Sequence, residues 1–118
     1  MKAKPKSRKN APQEILIVSE QRDLPKERGG GTLKYAYYGF DDSHGKQVIT
    51  RYSIAWINHD IYSADNGRVL GYDNAHDFHH RHVMGNIEPV DFSSFEDTFD
   101  RFTQEWQAMV QKLRSNTP

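Results

Sequence analysis

Four of the chain's six histidines, His76, His79, His80 and His82, fall within seven residues, inside the stretch GYDNAHDFHHRH from Gly71 to His82. Two aspartates, an asparagine, an arginine and a tyrosine accompany them. Imidazole exchanges protons near neutral pH and also ligates metals, so three readings stand side by side. In the first, His80 and His82 form a His-x-His metal pair, with Asp73, Asp77 or His76 completing the shell. In the second, the two imidazoles act as general acid and base on a phosphodiester. One takes the proton of a 2′-hydroxyl and the other gives a proton to the leaving oxygen. Arg81, if the strand turns it inward, would stabilise the charge on phosphorus. In the third, Asp73 and Asn74 form a turn and the histidines are scattered surface residues. That last reading suits one histidine better than four in seven residues.

What the stretch can do depends on the element that carries it. Read as a strand, Phe78–Met84 alternates its side chains. Phe78, His80, His82 and Met84 then point one way, and His79, Arg81 and Val83 the other. His80 and His82 share a face, and Tyr72 and Asp73, at the end of the strand before, are placed alongside. This pairing narrows the apparent knot of histidines to two, and we favour phosphodiester chemistry over a metal for them. Asn74, His79 and Arg68 are further candidates for contacting a substrate, with Lys34 a possible extension of the basic lining.

The elements around this stretch can be read in order. Glu14–Ser19 is a short β-branched run and predicts a first strand. Leu24-Pro25 and the triple glycine Gly29–Gly31 mark a loop. Those glycines open no helix with Lys-Ser/Thr, so they do not form a phosphate cradle. Thr32–Phe40 is aromatic and β-prone. Asp41–Gly45 is a polar turn. Gln47–His59 alternates, with Tyr52, Ile54 and Trp56 on one face, as a central strand under a helix would. Asn66-Gly67 predicts a tight hairpin, Arg68–Asp73 its returning strand, and Gly71 a bulge or a close backbone approach. Gly85-Asn86 is read as the end of the last strand. Ser93 and Glu96 have capping-box spacing. Phe95, Phe99, Phe102, Trp106, Met109 or Val110, and Leu113 then recur at helical steps, which predicts an amphipathic helix of about five turns packed on the sheet. Asp97, Asp100 and Glu105 fall off that stripe, and the acidic face is read as solvated. The expected class is α+β: an antiparallel sheet of four to five strands with one long C-terminal helix.

Composition limits the function classes. At 118 residues, the chain has room for one modest core. It contains no cysteine, which excludes disulfides and thiolate metal sites. No apolar run approaches the roughly 20 residues of a membrane span, and the basic start is not followed by the apolar segment of a secretory signal. The net charge of zero hides an asymmetry: five of the sixteen basic residues precede the first acid, Glu14. Residues 1–12 are thus expected to form a disordered basic arm and 13–118 a single domain. The arm is either a frayed terminus or a contact for nucleic-acid phosphates.

With these residues set out, the chain resembles the TumE family of toxin–antitoxin proteins. The likeness rests on Asn66–Asn74 (NGRVLGYDN), His80-Arg81-His82, Glu88-Pro89 and the Phe92–Glu105 segment, over roughly residues 50–112. It departs at Phe78-His79, where many members carry Gly-Asp, and Met1–Gly31 shows no likeness. The resemblance implies a small cytoplasmic toxin encoded beside a helix-turn-helix antitoxin and acting on RNA or translation, with Asp73, His80, Arg81 and His82 as functional residues. Joined to the residue reading, it leads us to expect a metal-independent endoribonuclease with RNA as substrate, no cofactor and no membrane association. His80 and His82 would be the acid–base pair, Arg81 the phosphate ligand and Asp73 the orienting carboxylate. Tyr72, Asn74, His79 and Arg68 would bind the substrate. The alternative is a non-catalytic regulatory module, metal-stabilised or not, that binds protein or nucleic acid through the same histidines.

Overall fold

A computed structural model of the chain describes residues 13–115. The basic arm expected over residues 1–12 lies outside them. The described chain is an antiparallel meander of six strands followed by one helix. The strands are β1 (Ile15–Asp23), β2 (Thr32–Asp41), β3 (Gln47–Ile57), β4 (Arg68–Asp73), β5 (His80–Val83) and β6 (Asn86–Pro89), and they lie in the sheet in chain order. The helix α1 spans Phe95–Ser115 and lies against β3 and β4.

Burial explains why the helix settles there. Tyr52, Ile54 and Trp56 of β3 and Leu70 and Tyr72 of β4 turn one face of the sheet toward Phe102, Trp106 and Val110 of α1, and together they form the core. Such large side chains each contribute roughly 1.5–3 kcal/mol when taken out of water. Val69 and Leu70 are neighbours in sequence, yet both belong to this core. The register slips by one between Trp56 and Ile57, and the resulting bulge lets adjacent residues turn inward. The opposite face of the sheet has no α-helix on it among the described residues.

Four expectations need correction. The sheet has six strands, not four to five, because Met84-Gly85 is a turn rather than a strand end. Val83 pairs with Asn86, and both loop residues have positive φ, at 41° and 86°, as a two-residue type I′ hairpin requires. Methionine at the first of these positions hides the turn from a sequence reading. Asn66 and Gly67 do have positive φ, but they close a ten-residue connection from Asn58 to Gly67 rather than a tight hairpin. Its base is fixed by the Asn58 N–H donating to the Gly67 carbonyl at 2.8 Å. The helix cap is Ser94, not Ser93: the Ser94 hydroxyl accepts the Asp97 N–H at 3.0 Å, satisfying one of the free donors of the first turn. Finally, Glu105 is not on a solvated face but turned toward the sheet, where Arg81 and Tyr72 reach it.

Candidate functional site

Strand β5 positions the histidines. Its burial alternates, with His80 and His82 buried and Arg81 and Val83 half-buried. Asp73 pairs with His80 and Gly71 with His82 across β4 and β5, so these residues share the face that α1 leaves uncovered. There the Asp73 carboxylate meets both rings. Its Oδ2 lies 2.8 Å from His82 Nε2. Its Oδ1 lies 3.4 Å from His80 Nδ1, without hydrogen-bond alignment, and accepts the Ala75 N–H at 3.0 Å. Asp73 therefore does two things at once: it makes the turn that ends β4 and it fixes the His82 ring.

Arg68 approaches the same carboxylate from the start of β4. Asp65 binds its guanidinium through Nε at 2.9 Å and Nη2 at 3.1 Å, and Nη1 lies 3.6 Å from Asp73 Oδ2. Gly71 makes this reach possible. A Cβ there would stand 2.7 Å from Arg68 Cδ, so the glycine is the close approach that its position suggested, while the bulge lies elsewhere, at Val69.

His80 and His82 are each only 7% exposed. With His82 Nε2 donating to a carboxylate, the lone pair of a neutral ring falls on Nδ1. That atom is enclosed without a partner, as is His80 Nδ1. Of the four ring nitrogens, His80 Nε2 alone is neither enclosed without a partner nor bonded to Asp73. Phe78 rests on the His80 ring at 3.8 Å between centroids and is itself 49% exposed. Among the described residues, no group of three or more His, Asp or Glu side chains is arranged to hold a metal ion.

The other candidates lie elsewhere. Arg81 does not turn inward to the histidine pair, because strand alternation sends it to the helix face. There its Nε bonds both Glu105 oxygens, at 3.1 and 2.9 Å, its Nη2 bonds Glu105, and its Nη1 bonds Glu88 at 2.6 Å. These bonds push its pKa up from an already high value. Tyr72, expected beside the histidines, is also on the helix face and donates to Glu105. Burial, with help from that bond, pushes its hydroxyl up to about 12. Burial would raise the Glu105 carboxyl as well, but hydrogen bonds from Arg81 and Tyr72 outweigh it and hold the pKa below the usual carboxylate value.

Asn74 extends the pairing of β4 with β3 through its side chain. Its Oδ1 accepts the Tyr52 N–H at 3.0 Å and its Nδ2 donates to the Thr50 carbonyl at 2.8 Å. His79 shares a 2.8 Å hydrogen bond with Tyr52 through Nδ1 and stacks on Phe92 at 3.8 Å and 8°. The sequence reading therefore missed Glu105, Tyr52 and Phe92. For Glu105 there was a signal. Alternation puts Arg81 under the helix, where a cation needs an acid, and Glu105 sits between Phe102 and Trp106 on the inward stripe.

The fold and the site define a small α+β protein with a carboxylate–histidine set on the uncovered face of a meander sheet. Its family follows from comparison: residues 36–112, about two thirds of the chain, match the family described as Toxin TumE. The chain belongs to the TumE toxin family, and an antitoxin is the partner that membership implies. Arg68, Tyr72, Asp73, Asn74 and the stretch from His79 to His82 lie inside the matched segment, whereas Lys34 and β1 lie outside it. Neither the curated proteins nor the solved structures contain a match. Among the described residues, no helix is long and apolar enough to cross a membrane.

Proposed function

We propose that this TumE-family toxin is a cytoplasmic endoribonuclease that inhibits growth by cutting RNA, and that a helix-turn-helix antitoxin restrains it. The observation that carries the reading is the Asp73 carboxylate set between two imidazoles, 2.8 Å from His82 and 3.4 Å from His80, on the face without a helix. One imidazole removes the 2′-hydroxyl proton as that oxygen attacks phosphorus. The other, entering as imidazolium, protonates the departing 5′-oxygen, leaving a 2′,3′-cyclic phosphate and a 5′-hydroxyl. Asp73 holds the His82 ring in one orientation. Arg68, rather than Arg81, lies beside Asp73 on this face, so we assign the contact with the reacting phosphate to it. Tyr72, Arg81, Asn74 and His79 act on the sheet that carries the site and do not contact the substrate. The chemistry assigned to these side chains calls for no metal.

One observation favours a second reading, in which the same set is a polar clasp inside a non-catalytic binding module. Both Nδ1 atoms are enclosed, so a substrate reaches them only after a ring turns. Incubation of labelled RNA with the protein, with and without chelator and beside His80→Ala and His82→Ala, separates the two. Cleavage that persists in chelator and falls by at least about 100-fold in each variant supports the ribonuclease. A wild-type protein that leaves RNA intact under all conditions, or that unfolds when metal is removed, points to the binding module.

A further inference from the structure

The uncovered face continues well beyond the histidines. Register carries two rows of paired side chains across it. One runs Ala36, Ser53, Asp73, His80, and the other Lys34, Ala55, Gly71, His82. Beside Lys34 the floor of both rows is small, Ala36, Ser53 and Ala55, and farther on Arg68 lies over Gly71 toward Asp73 and stands between the trough and the histidines. Over the small floor lies this open trough of about 390 Å³, walled by Lys34 on one side and by Arg68, Asp65 and Asn66 on the other. This volume is in the range of small-molecule sites. The two walls differ in charge. Arg68 is occupied by Asp65, whereas Lys34 is exposed and has no ion pair among the described residues. At the far end of the rows are the two buried rings with unpartnered Nδ1 atoms and, on His80, the half-exposed face of Phe78. Three strand spacings of about 4.8 Å separate the Lys34 strand from the His82 strand, so the path is roughly 14 Å long.

We propose that this face is a track for single-stranded RNA. One nucleotide sits in the trough over Ala36, Ser53 and Ala55, with its phosphate on Lys34, and a base nearer the histidines stacks on Phe78. The small floor lets a flat, wide polymer approach the sheet. Lys34, without an ion pair among the described residues, and the half-exposed Phe78 ring provide the two kinds of contact that single strands use, charge and stacking. The proposal rests on the RNA reading of the preceding section and adds the path of the substrate to it.

The test measures binding apart from cleavage. A short, fluorescently labelled 2′-O-methyl RNA lacks the attacking hydroxyl and remains intact, and its anisotropy reports affinity. We expect Ser53→Trp, which fills the trough from an exposed position, to abolish binding. Phe78→Ala weakens it by about ten-fold, the effect of losing one stacked base. Lys34→Gln weakens it several-fold and makes the slope of log affinity against log salt shallower by about 0.7, one phosphate's share. Lys112→Gln, which removes the same charge from the far end of α1, is the matched control. The track is overturned if Lys34→Gln and Ser53→Trp bind no worse than Lys112→Gln. It is also overturned if the wild type does not bind, which would leave the trough to a protein partner. Binding with this pattern but without cutting of ordinary RNA overturns the ribonuclease and keeps the track. Cutting that is indifferent to the trough variants does the reverse.

Discussion

The two faces of the sheet are built from opposite materials, and β5 contributes to both. Under the helix, Tyr52, Ile54, Trp56, Leu70 and Tyr72 meet Phe102, Trp106 and Val110, and Arg81 is clamped by Glu105. On the other side, the floor includes Ser53, Ala36, Ala55 and Gly71, and Lys34, Asp65, Arg68, Asp73 and the two histidines stand on it. The helix face holds the fold together by apolar area, and it carries an ion pair only because several hydrogen bonds satisfy it. The uncovered face has little apolar area to contribute to stability, so its polar residues are open to another use. A histidine-rich stretch thus looks like one cluster in the sequence because two environments are interleaved along a single strand.

The comparison predicts different failures on the two sides, and the largest is on the uncovered one. Asp73→Asn keeps the size of the side chain but removes the charge that holds His82. Under the ribonuclease reading, cleavage falls by about 100-fold or more, while affinity for an uncleavable RNA changes little. Single-turnover rates measured beside binding decide it. A loss of binding equal to the loss of rate would mean that Asp73 shapes the face without orienting an imidazole.

A smaller effect is expected under the helix and is read as stability. Glu105→Ala leaves the buried Tyr72 hydroxyl without its acceptor and the half-buried Arg81 with Glu88 alone. The cost is about 2 kcal/mol, below that of a fully buried pair because roughly a quarter of each charged side chain is exposed. For a chain of this size, that lowers the melting temperature by roughly 8 °C. The effect has a definite pH dependence. The folded pKa of Glu105 lies below its unfolded value, so its contribution is full above the ordinary carboxylate pKa and is lost as pH falls through the folded one. The melting difference between wild type and Glu105→Ala should therefore shrink in acid. A difference that is the same in acid as at neutral pH would show that lost packing, not the ion pair, accounts for it.

Much of this division is legible in the sequence, and the omissions have physical causes. Alternation alone separates His80 and His82 from Arg81, and the stretch Arg68–Asp73 is read to the residue. The same rule should have parted Tyr72 from Asp73, since neighbours on a regularly paired stretch of strand do not share a face. The helix stripe reads clearly because six large apolar residues repeat at its period. Glu105 is lost because a carboxylate beside the stripe looks like surface until its cation is known. Strand β6 is lost because all four of its residues are exposed, which leaves no apolar pattern to find. The trough is invisible for another reason: it arises from register across four strands, and small residues carry no local signal.

The smallest predicted effect concerns His79, which sits where the two regions meet. Burial lowers its pKa from 6.5, and the neighbouring His80 adds to the shift. Its partner is the Tyr52 hydroxyl, which burial pushes up to about 12 and which therefore keeps its proton. The hydroxyl and Nδ1 share the 2.8 Å hydrogen bond, and which of them donates follows the tautomer of the ring. Protonation would place a charge on a ring that burial has partly stripped of water, beside His80. The unfolded chain accepts that proton at a higher pH than the folded one does. The contribution of His79 to stability is thus complete above 6.5, declines as pH falls below it, and stops changing once pH passes the folded value. His79→Gln removes the titration and retains a polar contact for Tyr52. Subtracting its melting profile from that of the wild type, from about pH 7.5 to about pH 5, should leave a shallow slope that begins near neutrality. A flat difference would mean that the ring is neutral or charged alike in both states, and that the stack on Phe92 is packing alone.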